Sequence, residues 1–218
     1  MSNNKNTPQL TTTHTIQQII GWSALLFPAV LIVLSLGSGW CTTIQETISH
    51  YYYTIVGNVF VGILTTISIL LIIYKGYLNS RDFLITTLAG AGGIGVAMFP
   101  TTPPCDTTRC IVVQLEALDV STIHYLSALL MFGSLAVMCM VQFTKKAAAP
   151  TKAKLKRNKL YIANGILIIV SILSIFLIQQ LASDVFLCES SIVLYLEWFA
   201  LINFGCSWMV KGGLFLTD

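Results

Sequence analysis

The chain has 218 residues, of which 55% are hydrophobic and only 10% charged, with a formal net charge of +3. Soluble domains carry about 25% charge, so an ordinary water-soluble domain is excluded, and the basic stretch Lys145–Lys159 has no interleaved aromatics to suit nucleic acid. No linker long enough to separate a pair of domains is present, which leaves one apolar bundle.

Residues 1–18 are polar, rich in Thr and Asn, and read as a cytoplasmic tail. Six long apolar runs follow: Ile19–Leu36, Thr54–Tyr74, Phe83–Phe99, Ile123–Phe143, Leu160–Ile178 and Ser191–Val210. Each is about as long as a helix needs to cross ~30 Å of hydrocarbon at 1.5 Å per residue. Backbone groups in lipid must pair within the protein, so only helices or closed barrels span, and barrel strands would be ~10-residue alternating segments. The predicted fold is all-α: six transmembrane helices in residues 19–212, then a short C-terminal tail at 213–218. The first run is long for a signal-peptide core and has only Lys5 before it, so it reads as a retained span, kinked at Pro28.

Between the first two runs, Trp40–Tyr53 is too polar to span and too apolar for a free loop. Ile44, Ile48, Tyr51 and Tyr52 recur at three- and four-residue spacing, and Thr43 with Glu46 fits a capping box. Both features predict a short helix that lies on the membrane surface or caps the bundle. In the third run, Gly90-Ala91-Gly92-Gly93-Ile94-Gly95 matches a dinucleotide fingerprint in letters only. That motif needs a strand before it and a helix after it. Inside a span, the glycines predict close helix packing instead.

Charge gives the threading. Lys5, Lys75, Arg81, Lys145, Lys146, Lys152, Lys154, Lys156, Arg157, Lys159 and Lys211 fall on one side of a six-span chain, and Arg109 alone on the other. The positive-inside rule then places both termini and the Lys145–Lys159 loop in the cytoplasm. That loop is a topology anchor, with attraction to anionic lipid as its alternative. The opposite side holds Glu46, Asp106, Glu116, Asp119, Asp184 and Glu189. Aromatic residues collect near both boundaries, with Trp40, Tyr125 and Trp198 outside and Trp22, Tyr77 and Trp208 inside. Cys41, Cys105, Cys110 and Cys188 lie in the outer loops, where disulfides persist. Four cysteines allow three pairings. Cys105–Cys110 closing a short loop, with Cys41–Cys188 tying two hairpins, is the favoured one.

Polar groups descend from the outer ends of three spans. Glu197 lies within the sixth, above Asn203 and Ser207; His124 opens the fourth; Glu46, Ser49, His50 and Asn58 surround the start of the second. Ionisable groups at membrane depth face a cavity or a partner. Glu46, Ser49, His50, Asn58, His124 and Glu197 are therefore the candidate ligand-binding residues of an outward-facing pocket, with His124 and Glu197 as the contacting pair. Three readings stay open: binding or transport of a lipid headgroup or small cationic solute, hydrolysis of a lipid headgroup, and a purely structural role. A Ser–His hydrolase, with Ser49 or Ser127 beside His124, has no nucleophile-elbow pattern to support it. No metal, cofactor or nucleic acid is expected, and membrane lipids are the expected partners.

Several stretches carry a resemblance: Ile48-Ser49-His50-Tyr51-Tyr52-Tyr53, Phe60-Val61-Gly62, Tyr74-Lys75-Gly76-Tyr77, Gly95-Val96-Ala97-Met98-Phe99-Pro100-Thr101, Ile123-His124-Tyr125-Leu126-Ser127-Ala128, and Glu197-Trp198 through Gly212. From Ile48 onward the chain resembles an uncharacterised family of bacterial six-span membrane proteins, loosely related to the DRAM and Frag-like group. The resemblance implies six helices and an inner-membrane location, and no established activity. The family pattern has acidic residues at the place of His50 and near Asn58, where this chain departs from it. A remoter likeness to alkaline-ceramidase-type hydrolases fails, because the last span offers Glu197 and Asn203 where those enzymes have histidines.

Overall fold

The computed structural model describes residues 13–74, 76, 82–105, 110–113, 120–145 and 150–216. Lys5, Lys75, Tyr77, Arg81, Asp106, Arg109, Glu116, Asp119 and Lys146 lie outside the described residues. The described chain is all-helical: α1 (Thr13–Gly37), α2 (Gly57–Ile73), α3 (Asp82–Met98), α4 (Ser121–Val137), α5 (Lys152–Leu181), α6 (Asp184–Glu189) and α7 (Ile192–Lys211). One turn of π-helix, Met138–Gln142, prolongs α4. The one pairing of extended backbone among the described residues is an isolated antiparallel bridge, Thr54 to Ile111.

Among the described residues, four helices are long and apolar enough to cross a membrane: α1, α4 with its π turn, α5 and α7. That is fewer than the six expected. Helix α2 has 17 residues because Thr54–Val56, counted in the apolar run, forms a turn ahead of it. Helix α3 also has 17 residues. Two helices instead begin earlier than their apolar runs. The expected tail is helical from Thr13, and α5 starts at Lys152, capped by the Thr151 hydroxyl, which accepts from the Lys154 N–H at 3.0 Å. Hydropathy marks only the part of a helix that wants to leave water, and a helix does not stop at that boundary.

Each long helix packs on its sequence neighbours, and α7 closes the ring by packing on α1 and α5. Small residues make the close contacts, as the glycine-rich run predicts. A Cβ on Gly92 would lie 2.6 Å from the Met131 backbone N and 2.7 Å from the Ser127 carbonyl on α4. A Cβ on Gly90 would lie 2.5 Å from the Ser68 carbonyl on α2. Gly21 and Gly205 do the same for α1 and α7.

The two ends of the ring differ in chemistry. At one end, Gln17 donates to Tyr74 Oη at 2.9 Å, Gln18 to the Gly212 carbonyl at 2.8 Å, and Lys154 Nζ to the Phe143 carbonyl at 2.9 Å. Lys152, Lys156, Arg157, Lys159 and Lys211 share this end. At the other end lie Glu46, Asp184 and Glu189 with two disulfides.

Those disulfides join Cys41 to Cys110 and Cys105 to Cys188, which corrects the expected pairing. The cause lies in the chain after Cys110. The Val112 N–H donates to the Tyr53 carbonyl at 2.9 Å, and Ile111 pairs with Thr54. Residues 110–113 thus run beside the start of α2, and Cys110 meets Cys41, which follows the end of α1.

The expected interfacial helix at Trp40–Tyr53 is also corrected. The segment is irregular up to Ile48 and ends in a five-residue 3₁₀ turn, Ser49–Tyr53. Thr43 caps nothing; the Thr47 hydroxyl instead accepts from the His50 N–H at 3.0 Å. Of the two placements expected for it, the membrane surface and the cap of the bundle, the turn takes the second. Ile48, Ser49, His50, Tyr51 and Tyr53 are buried, so it is a plug set into the mouth of the ring. The short surface helix at this end is α6, whose exposed Val185 and Phe186 carry no distinguishing sequence pattern.

Candidate functional site

The plug is held by side chains from distant regions of the chain. Glu197 of α7 accepts the Ile48 N–H at 2.6 Å, across 149 residues. The Leu194 N–H of the same helix donates to the Glu46 carbonyl at 3.0 Å. The 3₁₀ turn leaves its first N–H groups without local acceptors, and the Glu197 carboxylate takes the one that precedes it. Within the plug, His50 Nδ1 lies 2.8 Å from Glu46 Oε2. Burial works against ionising Glu46, but the His50 hydrogen bond and backbone donors outweigh it and hold the carboxyl below its usual range.

His124 of α4 contacts the next residue of the plug. Its Nε2 lies 3.1 Å from Ser49 Oγ, and its Nδ1 lies 2.7 Å from the Phe99 carbonyl. A carbonyl can only accept, so Nδ1 carries the proton. In the neutral ring Nε2 is then the acceptor, and the Ser49 hydroxyl donates to it. His124 and Ser49 are both buried.

Beneath the plug is a cavity of ≈ 40 Å³. Ser49 and Glu197 are its polar lining, and Phe27 of α1, Phe60 of α2 and Phe132 of α4 are its aromatic walls. Phe27 and Phe60 stand 5.6 Å apart between ring centroids. Among the described residues, no basic side chain pairs with Glu197. None of the three phenylalanines stands out in the sequence. An apolar residue in an apolar run carries no signal of which helix face meets a cavity.

Of the six candidates, Glu46, Ser49, His50, His124 and Glu197 gather around the plug, while Asn58 stands apart, exposed in the first turn of α2. His124 and Glu197 share no hydrogen bond. They engage consecutive plug residues, Ser49 and Ile48. The polar stripe below Glu197 is satisfied within the bundle: Asn203 donates to the Phe199 carbonyl at 2.7 Å, and Asn164 to Ser207 Oγ at 2.9 Å. Among the described residues, no three His, Cys, Asp or Glu side chains gather in a metal-binding group.

The chain matches no family model, no curated protein and no solved structure.

Proposed function

We propose that the protein is a six-span membrane protein of the inner membrane that binds a small organic ammonium group beneath its plug. The observation that carries the binding is Glu197, a carboxylate at the end of an apolar cavity walled by Phe27, Phe60 and Phe132. A cation over aromatic faces gains from the ring quadrupole, and more so where water is excluded. The carboxyl group supplies a hydrogen-bond acceptor, and a bound ammonium favours its ionised form, which supplies the opposite charge. A cavity of ≈ 40 Å³ suits an ammonium with about two or three carbons rather than a whole phospholipid headgroup.

The span count rests on α2 and α3. Each has 17 residues, the lower end of the ~17–25 that cross a bilayer. Both are packed side by side with longer apolar helices. The basic end faces the cytoplasm by the positive-inside rule, and the disulfide end faces the oxidising side. In sealed right-side-out vesicles, an impermeant maleimide added after reduction is expected to label Cys105 and Cys188. A cysteine placed by Lys156→Cys is expected to label only after lysis. The opposite pattern would turn the threading over.

Ammonium binding is tested by calorimetry on the full chain in nanodiscs of neutral lipid, titrated with methylammonium and with ethanolamine. Saturable binding is expected, weakened at least ~10-fold in Glu197→Gln, because a charge-assisted contact is lost while the amide oxygen still accepts from Ile48. Binding that is equal in the variant, or matched by sodium, would sink the proposal. Protection by phosphatidylethanolamine in the disc, with no response to free ethanolamine, would assign the ammonium to a lipid.

A further inference from the structure

The Ser49–His124 contact has the geometry of a nucleophile and its base. We propose that Ser49 is a nucleophile that cleaves small aminoacyl esters, with His124 as its general base. Four observations carry this.

The Ser49 hydroxyl is within hydrogen-bond reach of an imidazole nitrogen, at 3.1 Å. The other ring nitrogen is fixed by the Phe99 carbonyl at 2.7 Å, which selects the tautomer whose Nε2 can take a proton. A third group that orients the base is the remaining member of such a constellation. Ser49 also lines the cavity, which places the residue beside a space that can hold a substrate.

The fourth observation sets the substrate class, and it rests on the ammonium reading above. Glu197 binds the N–H of Ile48, the residue next to Ser49. Consecutive Cα atoms are about 3.8 Å apart. The anionic acceptor and the nucleophile thus flank one short stretch of backbone. An ester whose ammonium sits on the carbon next to its carbonyl is compact enough to meet both. The small cavity restricts the acyl group to glycyl or alanyl size.

The step balances with water as second reactant. Ser49 Oγ adds to the ester carbonyl carbon, and its proton passes to His124 Nε2. The carbon–oxygen bond to the alcohol breaks, and the alcohol leaves with that proton. An aminoacyl ester of Ser49 remains. Water adds to it, again giving a proton to His124, and Ser49 recovers the proton as the amino acid departs. No electrons change hands.

The first test uses a fluorophosphonate, which needs only an activated serine: Ser49 Oγ replaces fluoride at phosphorus. On the disulfide-intact chain in nanodiscs, peptide mass spectrometry is expected to find the label on Ser49 and not on Ser127. The labelling rate is expected to fall on the order of 100-fold in His124→Gln, the loss of a general base. Thermal unfolding and maleimide accessibility of the variant check that it is folded. The wild-type result alone keeps the test decisive if the variant fails to fold. A folded wild-type protein with no label on Ser49 overturns the nucleophile and leaves ammonium binding standing. The second test compares alanine methyl ester with methyl propionate, which lacks the amine. Methanol release is expected at least ~10-fold faster from the alanine ester, the worth of one charged hydrogen bond. Labelling of Ser49 without that preference overturns the aminoacyl assignment, while ammonium binding stands or falls on the calorimetry.

Discussion

Replacing Cys188 with Ser is expected to lower stability by about 2–4 kcal/mol, read as a fall in the thermal unfolding temperature in nanodiscs. The Cys105–Cys188 bond closes a loop of 83 residues. The chain-entropy estimate for such a loop in a soluble protein is about 4.5 kcal/mol. The value here is set lower because the unfolded reference in lipid keeps its spanning helices, so less freedom is regained when the bond is cut. Cys41→Ser is expected to behave almost alike, since its loop of 69 residues differs little on a logarithmic scale. A change under ~1 kcal/mol in both variants would show that the disulfide end of the ring is held by its hydrogen bonds and packing alone. Peptide mapping of the oxidised protein provides the separate check on pairing. A Cys105–Cys110 peptide would refute the arrangement outright.

The apolar runs mark the helices because burial in lipid demands length and uniform hydropathy, and both are visible in one dimension. What they miss lies at the helix ends, where the cause is not hydropathy. Thr54–Val56 is apolar enough to be counted as helix but is committed to the plug turn and to the bridge with Ile111. That break resets the helical phase. Asn58 shares a face with Thr54 only if one continuous helix joins them, which is why it stands outside the site. Conversely, Lys152–Lys159 is too charged for a span, yet Thr151 caps it and α5 simply continues outward.

The site is legible where polarity is out of place. Glu197 and His124 stand out because a charge or an imidazole in an apolar run needs a partner. Their partners do not stand out. One is the backbone N–H of Ile48 and another is the carbonyl of Phe99. Main-chain groups are present at every residue, so sequence carries no mark of which is used. The plug itself is hidden for a related reason. A 3₁₀ turn and an α-helix both bring residues three apart onto one side, so Ile48 and Tyr51 fit either. What selects the turn is its attachment to α7 through Glu197, across 149 residues of chain, and through Leu194 of the same helix.

Gly92→Leu is expected to be among the most damaging single changes in the bundle, at about 3 kcal/mol or more. The first added atom already meets the Met131 N at 2.6 Å and the Ser127 carbonyl at 2.7 Å. Both are backbone atoms of α4 and cannot swing away as a side chain would. Helices α3 and α4 must separate. Separation would also strip α3 of its seat on α2, because a Cβ on Gly90 already meets the Ser68 carbonyl at 2.5 Å on the other side. In lipid no hydrophobic gain offsets the lost contact, since acyl chains are as apolar as the side chains they replace. Gly133→Leu is the matched control. It lies on α4, the helix that Gly92 touches, but nothing stands within 4 Å of its added carbon. Replacing a mid-helix glycine there is expected to be neutral or to gain up to ~1 kcal/mol from helix propensity. The contrast is read as two unfolding temperatures measured in the same nanodiscs. Equal losses at both positions would mean that helix contact in this ring does not depend on the glycines. A drop confined to Gly92 would also be expected to loosen the plug, because Ser49 is hydrogen-bonded to His124 on the displaced α4. Slower fluorophosphonate labelling of Ser49 in that variant is therefore the link between the packing of α3 on α4 and the chemistry at the mouth of the ring.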